Sequence, residues 1–303
     1  MRASVRVRVP GSTSNLGAGF DCIGVAVPRW LELRVRLDGR DAVRLERRGT
    51  LAALAIEAEA DLLYRAFVAA CRRAGRGVPG GLVLVAASEI PVARGLGSSA
   101  AATVAGAAAA GALLDLDLDT AALLALASEL EGHPDNVAPA VCGGASLVLE
   151  GPEGLVVTPL AVHPTVAFVF AVPDFTLETT RARAVLPAAL PYGQAVRGVA
   201  KSAALVQGLA LGDPRLLAAA LDDVVHVPYR RALVRGFDEV TAAARAAGAY
   251  GATLSGSGPT LLALVPAAQA ATVGEAMVRA WARCAVTAEA FSTDHAAAGY
   301  QVD

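Results

Sequence analysis

The segment EIPVARGLGSSAAATVAGAAAA, residues 89–110, sets a proline, two glycines and two serines directly ahead of a run of alanines. Before it stands GLVLVAAS, residues 81–88, a short apolar run of strand length. Strand, glycine loop and helix in that order make an anion-binding geometry. Glycine admits positive φ and lets the backbone approach a ligand, and the unpaired N–H groups of a helix's first turn carry partial positive charge. Ser98 and Ser99 fall in that first turn, where a serine can act as N-cap or offer its hydroxyl to Mg²⁺ or a phosphate oxygen. On its own the cluster could equally be a plain helix cap.

Residues 95–114 carry no charge and approach the length of a bilayer span. Their apolar content is mostly alanine and glycine, which insert weakly, and the glycine turn shortens the helix. A buried, tightly packed helix is expected instead. The single lysine, Lys201 in GVAKSA, lies far from the loop. That excludes the P-loop pattern G-x-x-x-x-G-K-[ST] and the strand lysine of a protein kinase. Any nucleotide phosphate bound here is held by backbone N–H groups, serine and a metal.

The rest of the chain narrows the class of partner. Its 303 residues suffice for two closely linked domains. The 26 basic and 28 acidic residues give a net charge of −2 with no basic stripe, which argues against nucleic acid. Cys22, Cys71, Cys142 and Cys284 are too scattered for a C-x-x-C pair or a metal cluster, and read as free thiols of a reducing cytoplasm. MRASVRVRV alternates charge with valine like an edge strand and lacks the form of a signal peptide, so a cytoplasmic protein without a membrane partner is expected.

Periodicity gives an α+β outline. SVRVRV and WLELRVRL alternate as strands, and DLLYRAFVAACRRAG has helical spacing with a glycine stop. LVVTPLAVHPTVAFVFAVP holds two strand candidates around a proline turn. Helical spacing recurs near 193–211, 214–221, 234–247 and 267–283, with YGATLSGSGPTLLALV as a glycine-split strand pair before the last. A soft domain boundary falls near 151–159.

Two more glycine–serine segments stand out. PGSTSNLGAGFDCIG (10–24) crowds small and turn residues around Asn15 and Asp21, straight after the first strand, and LSGSGPT (254–260) separates two strands. Three such loops suggest one site built from distant parts of the chain. PVARGLGSSAA resembles the P-x-x-x-G-L-G-S-S-A-A phosphate loop of the GHMP kinases, and PGSTSNLGAGFD with EGHPDNVAPAVCGG is similar to the homoserine kinases among them. The likeness runs from about residue 9 to about residue 264.

The resemblance implies an α+β, two-domain GHMP kinase fold. Its N-terminal domain (1–155) would be ribosomal S5 domain 2-like and its C-terminal domain (156–303) ferredoxin-like, with the site in the cleft between them. It implies ATP and Mg²⁺ as cofactors and L-homoserine as substrate, converted to O-phospho-L-homoserine in threonine biosynthesis. Family members are often homodimers, though no residue here marks an interface. The phosphates of ATP fall to Pro91, Val92, Ala93, Arg94, Gly95, Leu96, Gly97, Ser98, Ser99, Ala100 and Ala101, with Ser98 also on Mg²⁺. The second metal ligand is a glutamate ahead of HPDN, for which Glu129 and Glu131 both qualify and Glu131 is favoured. Substrate contacts fall to Asn15, Asp21, His133, Asp135, Asn136 and Gly256, with Arg183 and Arg230 on the carboxylate and Thr179 near the reacting hydroxyl. Asn136 stands where mevalonate kinase-like relatives have an aspartate base. An amide accepts no proton at neutral pH, so direct attack by the substrate hydroxyl is expected.

Physical chemistry supports this set independently. A zwitterionic amino acid needs a carboxylate for its ammonium group and an arginine for its carboxylate, and Asp21 or Asp135 with Arg183 or Arg230 supplies both. Singly, each has a plainer reading: His133 and Asp135 as helix caps, the arginines as solvated surface. His163, His226 and His295 are assigned no function. Two other functions stay open. A GHMP kinase for another small hydroxylated metabolite would need Ser98 and Glu131 but not both arginines; an inactive ligand sensor would not need the metal ligands.

Overall fold

The computed structural model describes residues 2–40 and 42–303. Alternating valines build β1 (Ser4–Asn15), which folds back antiparallel on the long β2 (Gly19–Leu37), with register shifts between Pro10 and Gly11 and between Ser14 and Asn15. The residues of PGSTSN, which look like a loop in the sequence, are therefore the end of a strand. β3 (Arg44–Gly49) runs parallel to β4 (Leu82–Ser88), and α1 (Leu62–Arg73) makes the crossover between them, its start capped by the Asp61 carboxylate. β4 pairs with the second half of β2.

α2 (Ser98–Leu114) lies on β1 and β2 and against α1, and is apolar all round because it is buried all round. Among the described residues no helix is long and apolar enough to cross a membrane. Its N-cap is Gly97 in the left-handed region, with Ser98 the first helical residue. Of the two uses open to the serines, the cap is taken by Gly97, and their hydroxyls are left for other partners. α3 (Thr120–Glu131) and the short α4 (Val137–Cys142) follow. β5 (Ala145–Gly151) pairs with the first half of β2, and β6 (Gly154–Leu160) pairs with β5. β6 still belongs to the first sheet, and the chain crosses to the second over residues 161–165.

The second sheet begins with β7 (Val166–Pro173), buried at every position. Val166, Phe168, Phe170 and Val172 face the core shared with the first sheet, while Ala167, Val169 and Ala171 face a second core. A strand covered on both faces reads as a continuous apolar run. α5 (Thr179–Ala184), α6 (Tyr192–Leu211), α7 (Pro214–Leu221), α8 (Val227–Arg230) and α9 (Phe237–Ala246) precede the pair β8 (Gly251–Leu254) and β9 (Leu261–Pro266). α10 (Ala270–Arg283), β10 (Ala288–Thr293) and β11 (Gln301–Val302) finish the chain, and the second sheet runs β10-β7-β9-β8. β11 returns to the first sheet beside Val7 and Arg8 of β1. The expectation of a free edge at β1 is corrected there: alternating charge marks one solvated face and says nothing of what pairs along the strand. All four cysteines are free.

Candidate active site

Residues 91–97 form a loop whose backbone is fixed from several sides. Ala93, Gly95 and Gly97 have φ of 53°, 73° and 69°. The Gly95 carbonyl accepts from the Ser255 hydroxyl (2.6 Å), the Ala93 carbonyl from Leu177 N–H (3.0 Å), and the Leu96 carbonyl from Ser12 N–H (3.0 Å). The loop is therefore tied to the first sheet on one side and to the second domain on the other. Beside it lies a cavity of about 510 Å³. Leu51, Leu54, Ile56 and Leu62 form its apolar wall, Ser98 and Ser99 stand at the loop, and His133, Asn136, Thr179 and Gly256 line its polar end.

Period-two geometry sorts the end of β1. Ser12 donates to Asn136 Oδ1 (2.9 Å) and Ser14 Oγ accepts from Asn136 Nδ2 (2.9 Å), so the amide is gripped in one orientation. Thr13, on the opposite face, shares a hydrogen bond with Ser255 (2.8 Å). The chain then turns through Asn15 and Leu16, both at positive φ, a strained conformation for side chains other than glycine. Asn15 holds the turn in place: its Oδ1 accepts from Asp21 N–H and its Nδ2 donates to the Gly256 carbonyl, both at 2.9 Å.

Glu131 closes the other side. Its carboxylate accepts from Ser99 (2.6 Å) and from Thr103 (2.7 Å), residues one turn apart on α2. Glu129 instead points to the surface, paired with Arg73. The hydroxyl that meets Glu131 is that of Ser99, while Ser98 lines the cavity with no side-chain partner of its own. Among the described residues no group of three or more His, Cys, Asp or Glu could cage a metal. One carboxylate with neighbouring hydroxyls still suits Mg²⁺, which takes one or two protein oxygens and completes its shell with phosphate and water.

The charged groups meet at the polar end. Arg183 on α5 donates to both Asp21 oxygens at 3.0 Å, and this pairing holds the guanidinium pKa above its ordinary value. Burial works to raise the Asp135 pKa, but its bond to His133 Nδ1 (2.8 Å) and the charges of His133 and Arg183 outweigh it and keep the carboxyl below the usual range. The same bond raises the His133 pKa against the cost of burial. Arg230 is fully buried; burial first, then repulsion by Arg183, brings it down to about 10, so it stays charged at neutral pH.

Of the residues proposed from the sequence, residues 92–95 and 97–99, His133, Asn136, Thr179 and Gly256 line the cavity, while Leu96, Ala100 and Ala101 are buried. Asn15 and Asp135 are bonded to the lining residues Gly256 and His133, Asp21 and Arg183 follow behind Asn15, and Arg230 is buried over Phe20. Neither His133 nor Asp135 serves as a side-chain cap, since the residue ahead of α4 is Asn136 and each is spent on the other. Sequence reading missed Ser12, Ser14, Thr13 and Ser255, which position the groups it found, and the leucine wall. It also missed His226, fully buried under Phe20 and bonded to Gly17. The hydroxyls could have been found by extending β1 through its small residues; nothing in the sequence around His226 distinguishes it.

Burial lowers the His226 pKa to about 4 from an ordinary 6.5. Between these values the unfolded chain takes up a proton that the folded chain refuses, so stability is full above pH 6.5 and falls as pH drops through the window. Between pH 8 and pH 5 this one group costs about 2 kcal/mol. Urea unfolding at both pH values is expected to show wild type losing about that much more than His226→Asn; parallel losses would refute it.

Comparison with known proteins bears on the whole chain. The family model for the GHMP kinases N terminal domain matches residues 61–144, and that for the GHMP kinases C terminal domain matches 205–283. A homoserine kinase of Picosynechococcus sp. is 44% identical over 282 residues, covering 92% of each chain. One of Nostoc sp. is 41% identical over 94% of each. Among solved structures, homoserine kinase from Cytophaga hutchinsonii superposes with a TM-score of 0.89 at 31% identity, covering 100% of this chain and 98% of that one.

Proposed function

Because the chain belongs to the homoserine kinases of the GHMP kinase family, we propose that it transfers the γ-phosphoryl group of ATP to the side-chain hydroxyl of L-homoserine, in the cytoplasm. ATP is the co-substrate that the kinase family implies. The observation that carries the reading is the gathering of opposite charges, the Asp21–Arg183 ion pair with the Asp135 carboxylate and the Arg230 guanidinium near it, beside the cavity end formed by His133, Asn136 and Thr179. That is the complement of a zwitterion with a hydroxyl to present.

The apolar wall of Leu51, Leu54, Ile56 and Leu62 accommodates the nucleobase, and free N–H groups within residues 92–100 meet the phosphates. Glu131, with the hydroxyls of Ser98 and Ser99, would hold Mg²⁺, which supplies charge neutralisation on the phosphates. Asp21 and Arg183 satisfy each other, so the substrate's ammonium and carboxylate must share or replace that bidentate pair. Thr179 and Asn136 line the end of the cavity at which the side-chain hydroxyl would lie. Asn136 is gripped by Ser12 and Ser14 and is no base, while Asp135 is held ionised with a low pKa and accepts protons poorly. The substrate hydroxyl then attacks without a dedicated protein base, and its proton leaves on a phosphoryl oxygen.

The test is Mg²⁺-dependent ADP release from ATP with L-homoserine, L-serine, L-threonine and mevalonate. L-Homoserine is expected to give kcat/KM at least about tenfold above every other, since one methylene alone is worth about that much. Preference for mevalonate, or ATP binding without turnover of any of the four, would overturn the reading in favour of another acceptor or of a sensor.

A further inference from the structure

His226 and Arg230 are buried side by side at the two ends of α8, His226 directly ahead of it and Arg230 its last residue. Asp223 fixes the entry to this helix: its carboxylate accepts from the N–H groups of Val225 (2.9 Å), His226 (2.7 Å) and Val227 (2.8 Å). The His226 ring stacks on Phe20 with centroids 4.8 Å apart, and the Arg230 guanidinium lies over the same ring at 5.1 Å. Arg230 Nη1 lies 3.2 Å from His226 Nδ1. A guanidinium only donates, so Nδ1 must be the acceptor and the ring proton sits on Nε2, where it donates to the Gly17 carbonyl at 3.1 Å. Arg230 Nε is taken by the Ala182 carbonyl at 3.0 Å, and Nη2 has no protein hydrogen-bond partner among the described residues.

We propose that His226 is a positioning residue for substrate recognition: one imidazole orients Arg230 toward the amino-acid carboxylate and anchors the turn of Asn15 to Asp21 that faces the ammonium group. The inference rests on the homoserine reading above. It follows from the two-ended use of the ring. Arg230 has two of its donors committed, to Ala182 and His226, which leaves Nη2 for the ligand. Gly17 stands between Asn15, which fixes Asp21, and Phe20, which carries the Arg230 stack. Loss of either ring contact would therefore misplace a different end of the substrate, without touching the phosphate loop.

Two polar variants separate the contacts. His226→Asn puts an amide oxygen near the place of Nδ1 and keeps the acceptor for Arg230; His226→Gln puts an amide N–H near the place of Nε2 and keeps the Gly17 bond only. His226→Gln is expected to raise KM for homoserine about tenfold to a hundredfold, the range for losing a hydrogen bond to a charged group, with KM for ATP within about twofold. His226→Asn is expected to raise KM for homoserine less, about twofold to tenfold, with KM for ATP within about twofold, because the contact that it loses, to the Gly17 carbonyl, joins two neutral groups. Equal KM for homoserine in the two variants, or a rise in KM for ATP as large as that for homoserine, would show a structural role only and overturn the proposal. Wild-type turnover of homoserine is measured first: its absence sinks the functional reading and this inference together, while its presence with no difference between Gln and Asn sinks the inference alone.

Discussion

Glu131→Gln is expected to lower kcat about a thousandfold, a loss of about 4 kcal/mol in transition-state stabilisation. The substitution is nearly isosteric. An amide can accept from one of the hydroxyls of Thr103 and Ser99 and donate to the other, so the contacts at 2.7 and 2.6 Å have replacements and the end of α3 keeps its place. What disappears is the negative charge beside the serines of the phosphate loop. Mg²⁺ takes carboxylate and phosphate oxygens and sheds water reluctantly, so removing the one protein carboxylate would leave the metal held by the nucleotide and neutral hydroxyls. KM for homoserine should stay within about threefold, because Glu131 belongs to the phosphate side of the cavity and interactions there act mainly on the transition state. Glu129→Gln is the internal control: its partner is Arg73 on the surface, a class of ion pair worth about 0–1 kcal/mol, so kcat should not change. Steady-state kinetics over a Mg²⁺ titration decides it. A Glu131 variant that keeps its kcat, or a Glu129 variant that loses as much, would remove Glu131 from the metal's shell.

The contrast between these two glutamates shows what the sequence can and cannot say. Both precede HPDN, and the turn joining α3 to α4 decides which faces the loop; the family resemblance favoured Glu131 and left Glu129 open, and it is Glu131 that meets the hydroxyls of Ser99 and Thr103. The loop ahead of α2 was legible because its turns through positive φ at Gly95 and Gly97 demand glycine over a short stretch. α2 was legible as a buried helix because it has no polar face at all. The end of β1 was not, since Gly11, Ser12, Thr13 and Ser14 have turn composition, and pairing with β2 makes them a strand whose alternate hydroxyls serve two domains. Here tertiary pairing overrides local preference. α3 escaped for a related reason: its alanines and leucines blur the 3.6-residue pattern, and its buried face appears only once α2 lies beside it. His226 was illegible because its partners, Gly17 and Phe20, are some two hundred residues away.

Gly95→Ala is expected to reduce kcat/KM about a hundredfold, because displacing a loop that positions reacting groups by about an ångström costs that much. Two penalties meet at this residue. Its φ of 73° is unfavourable for alanine, and an added Cβ would run into the Ser255 carbonyl oxygen, with the Gly258 carbonyl close behind. Both obstacles are backbone and neither can swing aside. The Gly95 carbonyl meanwhile accepts from the Ser255 hydroxyl at 2.6 Å, and Ser255 is bonded in turn to Thr13 at 2.8 Å. Separating residues 95 and 255 thus moves the phosphate loop, the end of β1 and the loop of the second domain together, and these are the three glycine–serine segments of the sequence. Gly75→Ala isolates the first penalty, since Gly75 has φ of 63° but nothing within 4 Å of an added Cβ. The left-handed backbone should cost each variant about 1–2 kcal/mol in urea unfolding, the clash should cost Gly95→Ala more, and only Gly95→Ala should lose activity while still folded. If the two lose activity alike, the loss follows from general destabilisation and the contact between residues 95 and 255 has no special part in holding the phosphates. If Gly95→Ala alone loses it, with KM for ATP raised and the variant still folded at the assay temperature, then the grip of the second domain on the loop is what sets the phosphate geometry.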